Sequence, residues 1–203
     1  MIYEKTNDFY LQKINIINVE GTRFDFFDKI CKDKKVLHIG CADAMSFGIG
    51  HNLHAKLMNV AKNIHGMDID TNDLQQLKNM CPGTYFNSLK ECDKEYDIIL
   101  VPEVLEHILN TKDFLDEIFS IASKEVLITV PNILHYTKEM AQSETYSLEI
   151  VHPDHKYWFS PYTLYNITKP YIKNEHNCTM YYLDKKSMVA ILIKGENYDR
   201  LVE

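Results

Sequence analysis

Residues 36–44 read VLHIGCADA, and residues 65–70 read HGMDID. In the first stretch a short apolar run leads into a turn of small residues, where the backbone can pass close to a ligand before a helix begins. Gly40 lacks the side chain that would block this approach. In the second stretch an apolar run ends at Asp68, and an acid at this position of an open α/β sheet holds ribose hydroxyls. The two stretches therefore predict neighbouring strands whose ends bind a ligand that contains a ribose.

Strand and helix patterns alternate on both sides of these stretches. Short apolar runs bounded by polar residues predict strands at Val36–Ile39, Asn63–Met67, Thr84–Asn87, Asp97–Val101 and Val126–Val130. Apolar residues at helical spacing predict helices at Leu53–Ala61, Asn72–Met80 and Lys112–Ala122. This alternation predicts an α/β fold with a largely parallel sheet that helices cover on both faces.

The alternation stops after Pro131. A polar, aromatic-rich stretch follows, and residues 132–159 are predicted to form an insertion or lid on the substrate side. Ser160 and Pro161 then suit the N-cap and first position of a helix that extends to Ile172. The runs Cys178–Leu183 and Met188–Lys194 predict a C-terminal antiparallel hairpin.

Length and composition indicate an ordinary globular protein. The 203 residues suit one domain spanning 1–203, with 45% hydrophobic and 25% charged residues. No apolar run approaches the roughly 18 residues that a membrane-spanning helix needs, and charges interrupt the N-terminal residues where a signal peptide would be apolar. We therefore expect a soluble, cytoplasmic protein, whose oligomeric state the sequence leaves open.

The charge and the cysteine content restrict the kinds of partner and of metal or disulfide site that the sequence allows. The net charge is −7, and no dense cluster of lysine and arginine occurs, which argues against general nucleic-acid binding and favours a small-molecule substrate. The five cysteines are odd in number and include no Cys-x-x-Cys pair. This pattern argues against both a disulfide framework and a cysteine-only zinc site.

Taken together, the motifs resemble those of class I S-adenosylmethionine-dependent methyltransferases. Residues 36–44 resemble the family's first motif, residues 65–70 its second strand, and residues 96–107, YDIILVPEVLEH, its fourth-strand motif. The resemblance implies a doubly wound, mostly parallel seven-stranded sheet with the last strand inserted antiparallel. It also implies S-adenosyl-L-methionine as cofactor, held by Gly40, Cys41, Ala42, Asp68, Ile69, Asn87, Ser88, Pro102 and Glu103.

Three residues depart from the family pattern. Ala42 and Ala44 stand where glycines are common, and His38 stands where an acid often lies. Alanine is small enough for the turn, but His38 changes the contact that the acid would make near the methionine ammonium group. These departures keep open a second interpretation, a non-catalytic cofactor-binding module that partners an active enzyme.

The residues after the fourth strand suggest two ways to activate an acceptor. Glu103, Glu106 and His107 share one face of a helical turn, and His155 follows later in the sequence HPDHKYWFSP at residues 152–161. In one reading, His107 or His155 is a general base for a substrate hydroxyl. In the other, Glu103, Glu106, His107 and His155 bind a divalent metal ion, Mg²⁺ or Mn²⁺, which lowers the pKa of that hydroxyl.

The second set resembles the metal ligands of small-RNA 2′-O-methyltransferases, and quinone-biosynthesis O-methyltransferases carry a similar Glu-x-x-Glu-His segment. The sequence therefore predicts a transferase that methylates an oxygen of a small polar acceptor such as a sugar, a quinol or another metabolite. The alternatives are a metal-assisted RNA 2′-O-methyltransferase and the non-catalytic module.

Overall fold

One mixed sheet organises the computed structural model, which describes residues 2–5, 9–43, 52–92, 95–121, 123–136 and 152–195. Its strands are β3 (Ile16–Asn18), β4 (Lys35–Ile39), β5 (Asn63–Met67), β6 (Thr84–Phe86), β7 (Tyr96–Pro102), β8 (Ser123–Pro131), β9 (Cys178–Leu183) and β10 (Met188–Lys194). A separate antiparallel pair precedes them, made of β1 (Ile2–Lys5) and β2 (Tyr10–Lys13).

The strand order is β3-β9-β10-β8-β7-β4-β5-β6. β10 runs antiparallel to both of its neighbours, whereas every other neighbouring pair is parallel. The predicted seven strands and the C-terminal hairpin are therefore confirmed. The structure adds β3 as an eighth strand at the edge beside β9, and neither β3 nor the β1–β2 pair was predicted.

The α-helices with described bounds are α1 (Arg23–Cys31), α2 (Leu53–Leu57), α3 (Thr71–Met80), α4 (Thr111–Ser120) and α5 (Pro161–Thr168), and residues 133–136 are also helical. Ser160 caps α5 as predicted, in a reciprocal capping box with Thr163. The predicted extension of that helix to Ile172 is wrong. After Thr168 only a 3-10 turn follows, because Pro170 has no N–H to donate and disfavours helical backbone at the residue before it. Likewise, α2 ends at Leu57 instead of continuing to Ala61.

Strand side chains alternate between two apolar layers, as expected of a sheet covered on both faces. In β4, Leu37 and Ile39 belong to the layer that includes Leu115 of α4 and Leu164 of α5. Val36 belongs to the opposite layer, with Phe27 of α1 and Leu57 of α2. These layers bury both faces of the central strands, so a ligand can approach these strands only at their ends.

None of the described helices combines the length and the apolar character that crossing a lipid bilayer would need.

Candidate functional site

The strand order reverses between β4 and β7. From β4 the chain proceeds outward through β5 to β6, then returns to pair β7 with the other side of β4. Open α/β sheets bind ligands in the crevice at such a reversal, at the carboxyl ends of the strands. Here those ends are Ile39 and Pro102.

The turn after β4 depends on Gly40. Its φ is +72°, in the left-handed region, and its N–H donates to the carbonyl oxygen of Met67 at 2.8 Å. A Cβ at this position would lie 2.4 Å from Cγ2 of Val104. The sequence motif accounts for Gly40 by the close approach of the backbone to a ligand. The structure adds two further reasons, the backbone conformation and close packing against the segment that follows β7.

Asp68 joins the ends of β4 and β5. Its Oδ2 accepts a hydrogen bond from the Ala42 N–H at 2.9 Å, and its Oδ1 accepts one from the Asp70 N–H at 3.0 Å. Burial raises the pKa of its carboxyl group, and the two backbone hydrogen bonds oppose that shift. A carboxylate has about four lone-pair sites, so acceptor capacity remains after these two bonds. Asp70, not Asp68, is the N-cap of α3, which leaves Asp68 available for a ligand.

The other residues predicted to bind the cofactor flank Asp68. Ile69 is 79% exposed. Asn87 and Ser88 directly follow β6, whose last residue accepts the Asp68 N–H through its carbonyl oxygen at 3.2 Å. Cys41 is buried, and burial raises the pKa of its thiol. The backbone thus brings the ends of β4, β5 and β6 together, as the motifs predict.

Glu103 lies at the end of β7 in a strained conformation. Its φ is +53°, a value that non-glycine residues adopt mainly where the surrounding structure enforces it. Its Oε2 accepts a hydrogen bond from Arg23 Nη1 at 2.9 Å, and Arg23 also faces Asp184 in the β9–β10 turn. Burial raises the pKa of the Glu103 carboxyl group, and the charge of Arg23 opposes that shift. Arg23 is not predicted from the sequence. It lies at the start of α1 and holds the Glu103 carboxylate in place.

A pair of buried histidines replaces the acid expected in the first motif. His38 Nδ1 lies 3.3 Å from His54 Nδ1, and the rings stack at 5.4 Å between centroids. Burial lowers the pKa of His38 well below its usual value, and the charge of His54 adds to the effect. Burial likewise lowers the pKa of His54 to about 4. Both rings are therefore neutral near pH 7, so one donates a hydrogen bond to the other.

This pair predicts acid sensitivity. The unfolded chain protonates His54 near pH 6.5, whereas the folded chain keeps it neutral until about pH 4. Stability is therefore lost as the pH falls through this window, by up to about 1.4 kcal/mol per pH unit. We expect His54→Gln to flatten the dependence of the free energy of unfolding on pH between 6.5 and 4, measured by urea denaturation. His176→Gln, at an exposed position, should follow the wild type. Parallel curves for wild type and His54→Gln would show that His54 is not held neutral.

Three imidazoles cluster beyond the end of β7. His107, His152 and His155 each offer one potential ligand atom, and these atoms lie within 4.8 Å of one another. The His107 and His155 ring centroids are 4.8 Å apart, and those of His152 and His155 are 5.5 Å apart. Burial lowers the pKa of His107 and of His155, and neighbouring histidines contribute to both shifts. Neutral imidazoles of this kind can accept a proton or bind a metal ion.

The predicted metal ligands do not all converge. His107 and His155 belong to the cluster, but Glu103 is paired with Arg23 and Glu106 is only 1% exposed. Neither carboxyl oxygen of Glu106 has a partner outside its own residue among the described parts of the chain, and burial raises its pKa to about 8. The structure places His152 beside His107 and His155, whereas Glu103 and Glu106 do not belong to the cluster.

The segment predicted as a lid is anchored at both of its described ends. Ile133 donates its N–H to the carbonyl oxygen of Phe159 at 2.9 Å, and Lys156 donates its N–H to that of Glu106 at 2.8 Å. Phe159 is buried in the core, whereas Tyr157 is 42% exposed and bonds the Leu109 carbonyl oxygen through its hydroxyl. The aromatic run thus divides between core and surface. Residues 137–151 of the predicted insertion, and Ala44 of the first motif, lie outside the described residues.

Several solved structures share this fold. Magnesium protoporphyrin IX methyltransferase (ChlM) from Synechocystis PCC 6803, with bound SAH, is 13% identical over 85% of this chain and 80% of that chain, with a TM-score of 0.55. The plantazolicin methyltransferase BpumL, in complex with a pentazolic desmethylPZN analogue and SAH, is 13% identical over 85% and 81%, with a TM-score of 0.55. This chain has the class I methyltransferase fold.

A chain of the Pnkp1/Rnl/Hen1 RNA repair complex is also similar, at 17% identity and a TM-score of 0.55. The match covers 86% of this chain but only 40% of that longer chain. No protein-family model and no curated protein sequence matches this chain. At such identities the likeness concerns the fold, and function must be argued from the site.

Proposed function

We propose that this protein is an S-adenosylmethionine-dependent methyltransferase that methylates an oxygen of a small polar acceptor. The observation that carries the proposal is the half-buried Asp68 carboxylate, which links the turn after β4 to the end of β5 beside the reversal of strand order. This is where an open α/β sheet holds a ribose. The exposed Ile69 beside it provides an apolar surface for a flat base.

The residues present fit the cofactor. Asp68 would hold the ribose hydroxyls, and Asn87 and Ser88 lie at the adjacent strand end, where the base would bind. The turn of Gly40, Cys41 and Ala42 would approach the methionine part, with Pro102 and Glu103 on the other side of the crevice. Two features of the neighbours support this assignment: they share the fold, and both named methyltransferase structures contain SAH.

S-adenosylmethionine, when bound, would supply the methyl group. The acceptor oxygen would bond to the methyl carbon, and the electron pair of the broken carbon–sulfur bond would stay on sulfur. The chain's own task is to position the acceptor and to receive its proton. Positioning can contribute about 7–11 kcal/mol in favourable cases. His107 or His155 would accept the hydroxyl proton and release it to solvent, since a neutral imidazole can act as a base near pH 7.

Two other functions remain as alternatives that the same experiment separates. An RNA 2′-hydroxyl is an oxygen acceptor of the same chemistry, and the likeness to a chain of the RNA repair complex favours it, whereas the net charge of −7 does not. A non-catalytic module would bind the cofactor without turnover.

The test is release of S-adenosylhomocysteine from S-adenosylmethionine with sugars, quinols and a short RNA as separate acceptors. We expect turnover with a small acceptor, and a loss of about 10²- to 10⁴-fold when His107 and His155 are both replaced by alanine. His176→Ala, which removes an exposed histidine elsewhere, should leave the rate unchanged. Turnover only with RNA would mean that the acceptor is RNA and not a small molecule. Cofactor binding without turnover on any acceptor would favour the non-catalytic module.

A further inference from the structure

We infer that His107, His152 and His155 form a binding site for a transition-metal ion of the Zn²⁺ type, held by nitrogen alone. Their potential ligand atoms already lie within 4.8 Å of one another. In a tetrahedral zinc site with bonds of about 2.0–2.1 Å, the ligand nitrogens are about 3.3 Å apart. Small side-chain rotations would therefore close the remaining gap.

Backbone hydrogen bonds set the spacing of the three histidines. The His155 N–H donates to the carbonyl oxygen of His152 at 3.0 Å, which closes a turn that places both rings on the same side of the loop. The next N–H, that of Lys156, donates to the carbonyl oxygen of Glu106 at 2.8 Å and ties this turn to the residue before His107. The cluster thus depends on main-chain geometry and not only on side-chain rotamers.

The ring nitrogens have capacity for an ion. His155 Nδ1 is buried and has no hydrogen-bond partner among the described residues, which is costly for a polar atom unless a ligand satisfies it. His152 Nδ1 accepts the Asp154 N–H at 3.3 Å, a long bond on an exposed ring. Binding an ion through His152 Nε2 would move the ring proton to Nδ1. Nδ1 would then lose the bond from Asp154 and donate to water instead.

The donor set decides the class of metal. Imidazole nitrogen suits Zn²⁺, Co²⁺ and related ions, whereas Mg²⁺ and Mn²⁺ prefer oxygen. Because Glu103 is paired with Arg23 and Glu106 lies outside the cluster, the site offers nitrogen alone where the sequence predicted two carboxylates and two imidazoles. Three protein ligands also leave a fourth position open, as in catalytic zinc sites.

The role of the ion rests on the proposed function, but its binding does not. In a methyltransferase, an ion at this position would bind the acceptor hydroxyl and lower its pKa. The imidazoles would then be metal ligands, so they could act as bases only in the metal-free protein.

The experiment titrates the chelator-treated protein with Co²⁺, followed by visible absorption, and with Zn²⁺ in competition. We expect one ion per chain with the intense absorption of four-coordinate Co²⁺. His152→Ala should weaken binding at least about a hundredfold, since loss of a direct ligand exceeds the 10- to 100-fold effect of second-shell changes. Because His152 is exposed, this variant should fold normally, as circular dichroism would verify. Glu106→Gln and His176→Ala serve as matched controls and should retain the site.

Absence of stoichiometric Co²⁺ binding would overturn the inference, as would binding that survives His152→Ala but is lost in Glu106→Gln. The same preparations are titrated with S-adenosylhomocysteine. Cofactor binding without metal binding rejects the metal site alone, and metal binding without cofactor binding rejects the methyltransferase proposal alone.

Discussion

Replacing Gly40 with alanine is expected to destabilise the folded protein by about 2–5 kcal/mol. The left-handed backbone costs an alanine about 1–2 kcal/mol, and forcing its Cβ against Val104, 2.4 Å away, costs about 1–3 kcal/mol more. Urea denaturation at constant pH measures the change. The variant should also lose cofactor affinity, because the same turn carries Cys41 and Ala42.

Two further variants separate the causes. Gly40→Ala combined with Val104→Ala removes the steric contact but keeps the backbone cost, so it should recover part of the loss. Gly83→Ala is the matched control, since its Cβ would lie 3.3 Å from Tyr85 Cε2 without a left-handed φ, and it should cost under about 1 kcal/mol. Equal stability of wild type and Gly40→Ala would contradict the described turn.

Asp68→Ala should weaken the binding of S-adenosylhomocysteine at least tenfold, which corresponds to about 1.4 kcal/mol. The substitution removes the ribose acceptor and also leaves the Ala42 and Asp70 N–H groups without their carboxylate partner. Asp68→Asn keeps one acceptor oxygen in place and should lose less. Isothermal titration calorimetry gives both affinities directly.

Asp70→Ala is the matched control for Asp68. It removes the N-cap of α3 two residues away, which should cost about 1 kcal/mol of stability, and it should leave the affinity close to that of the wild type. Unchanged affinity in Asp68→Ala, or an equal loss in Asp70→Ala, would mean that the carboxylate of Asp68 does not hold the ligand.

The parts of the fold that the sequence predicts are those with strong local patterns. β5 and both strands of the C-terminal hairpin have the predicted bounds, because each is a short, mostly apolar segment bounded by polar residues. β3 has three residues and exists through its pairing with β9, a partner more than 150 residues away that no local pattern reveals. In contrast, α1 carried a usable signal in Thr22 and Asp25, which form a capping box ahead of Phe26 and Phe27.

The same distinction holds for the candidate site. Asp68 could be located because it ends an apolar run, and its position at a strand end follows from the run itself. Arg23 could not be found, since it contacts Glu103 across 80 positions of sequence. For the same reason, His54 could not be identified as the partner of His38. The place of His152 in the histidine cluster depends on loop hydrogen bonds that form only in the folded backbone.

Calorimetric titration of the wild-type protein with S-adenosylhomocysteine and with S-adenosylmethionine tests the central claim most directly. The proposed site predicts saturable heat with one ligand bound per chain, and the same stoichiometry for both compounds. Absence of binding with either compound, in protein shown to be folded, would contradict the assignment of this crevice as a methyltransferase cofactor site.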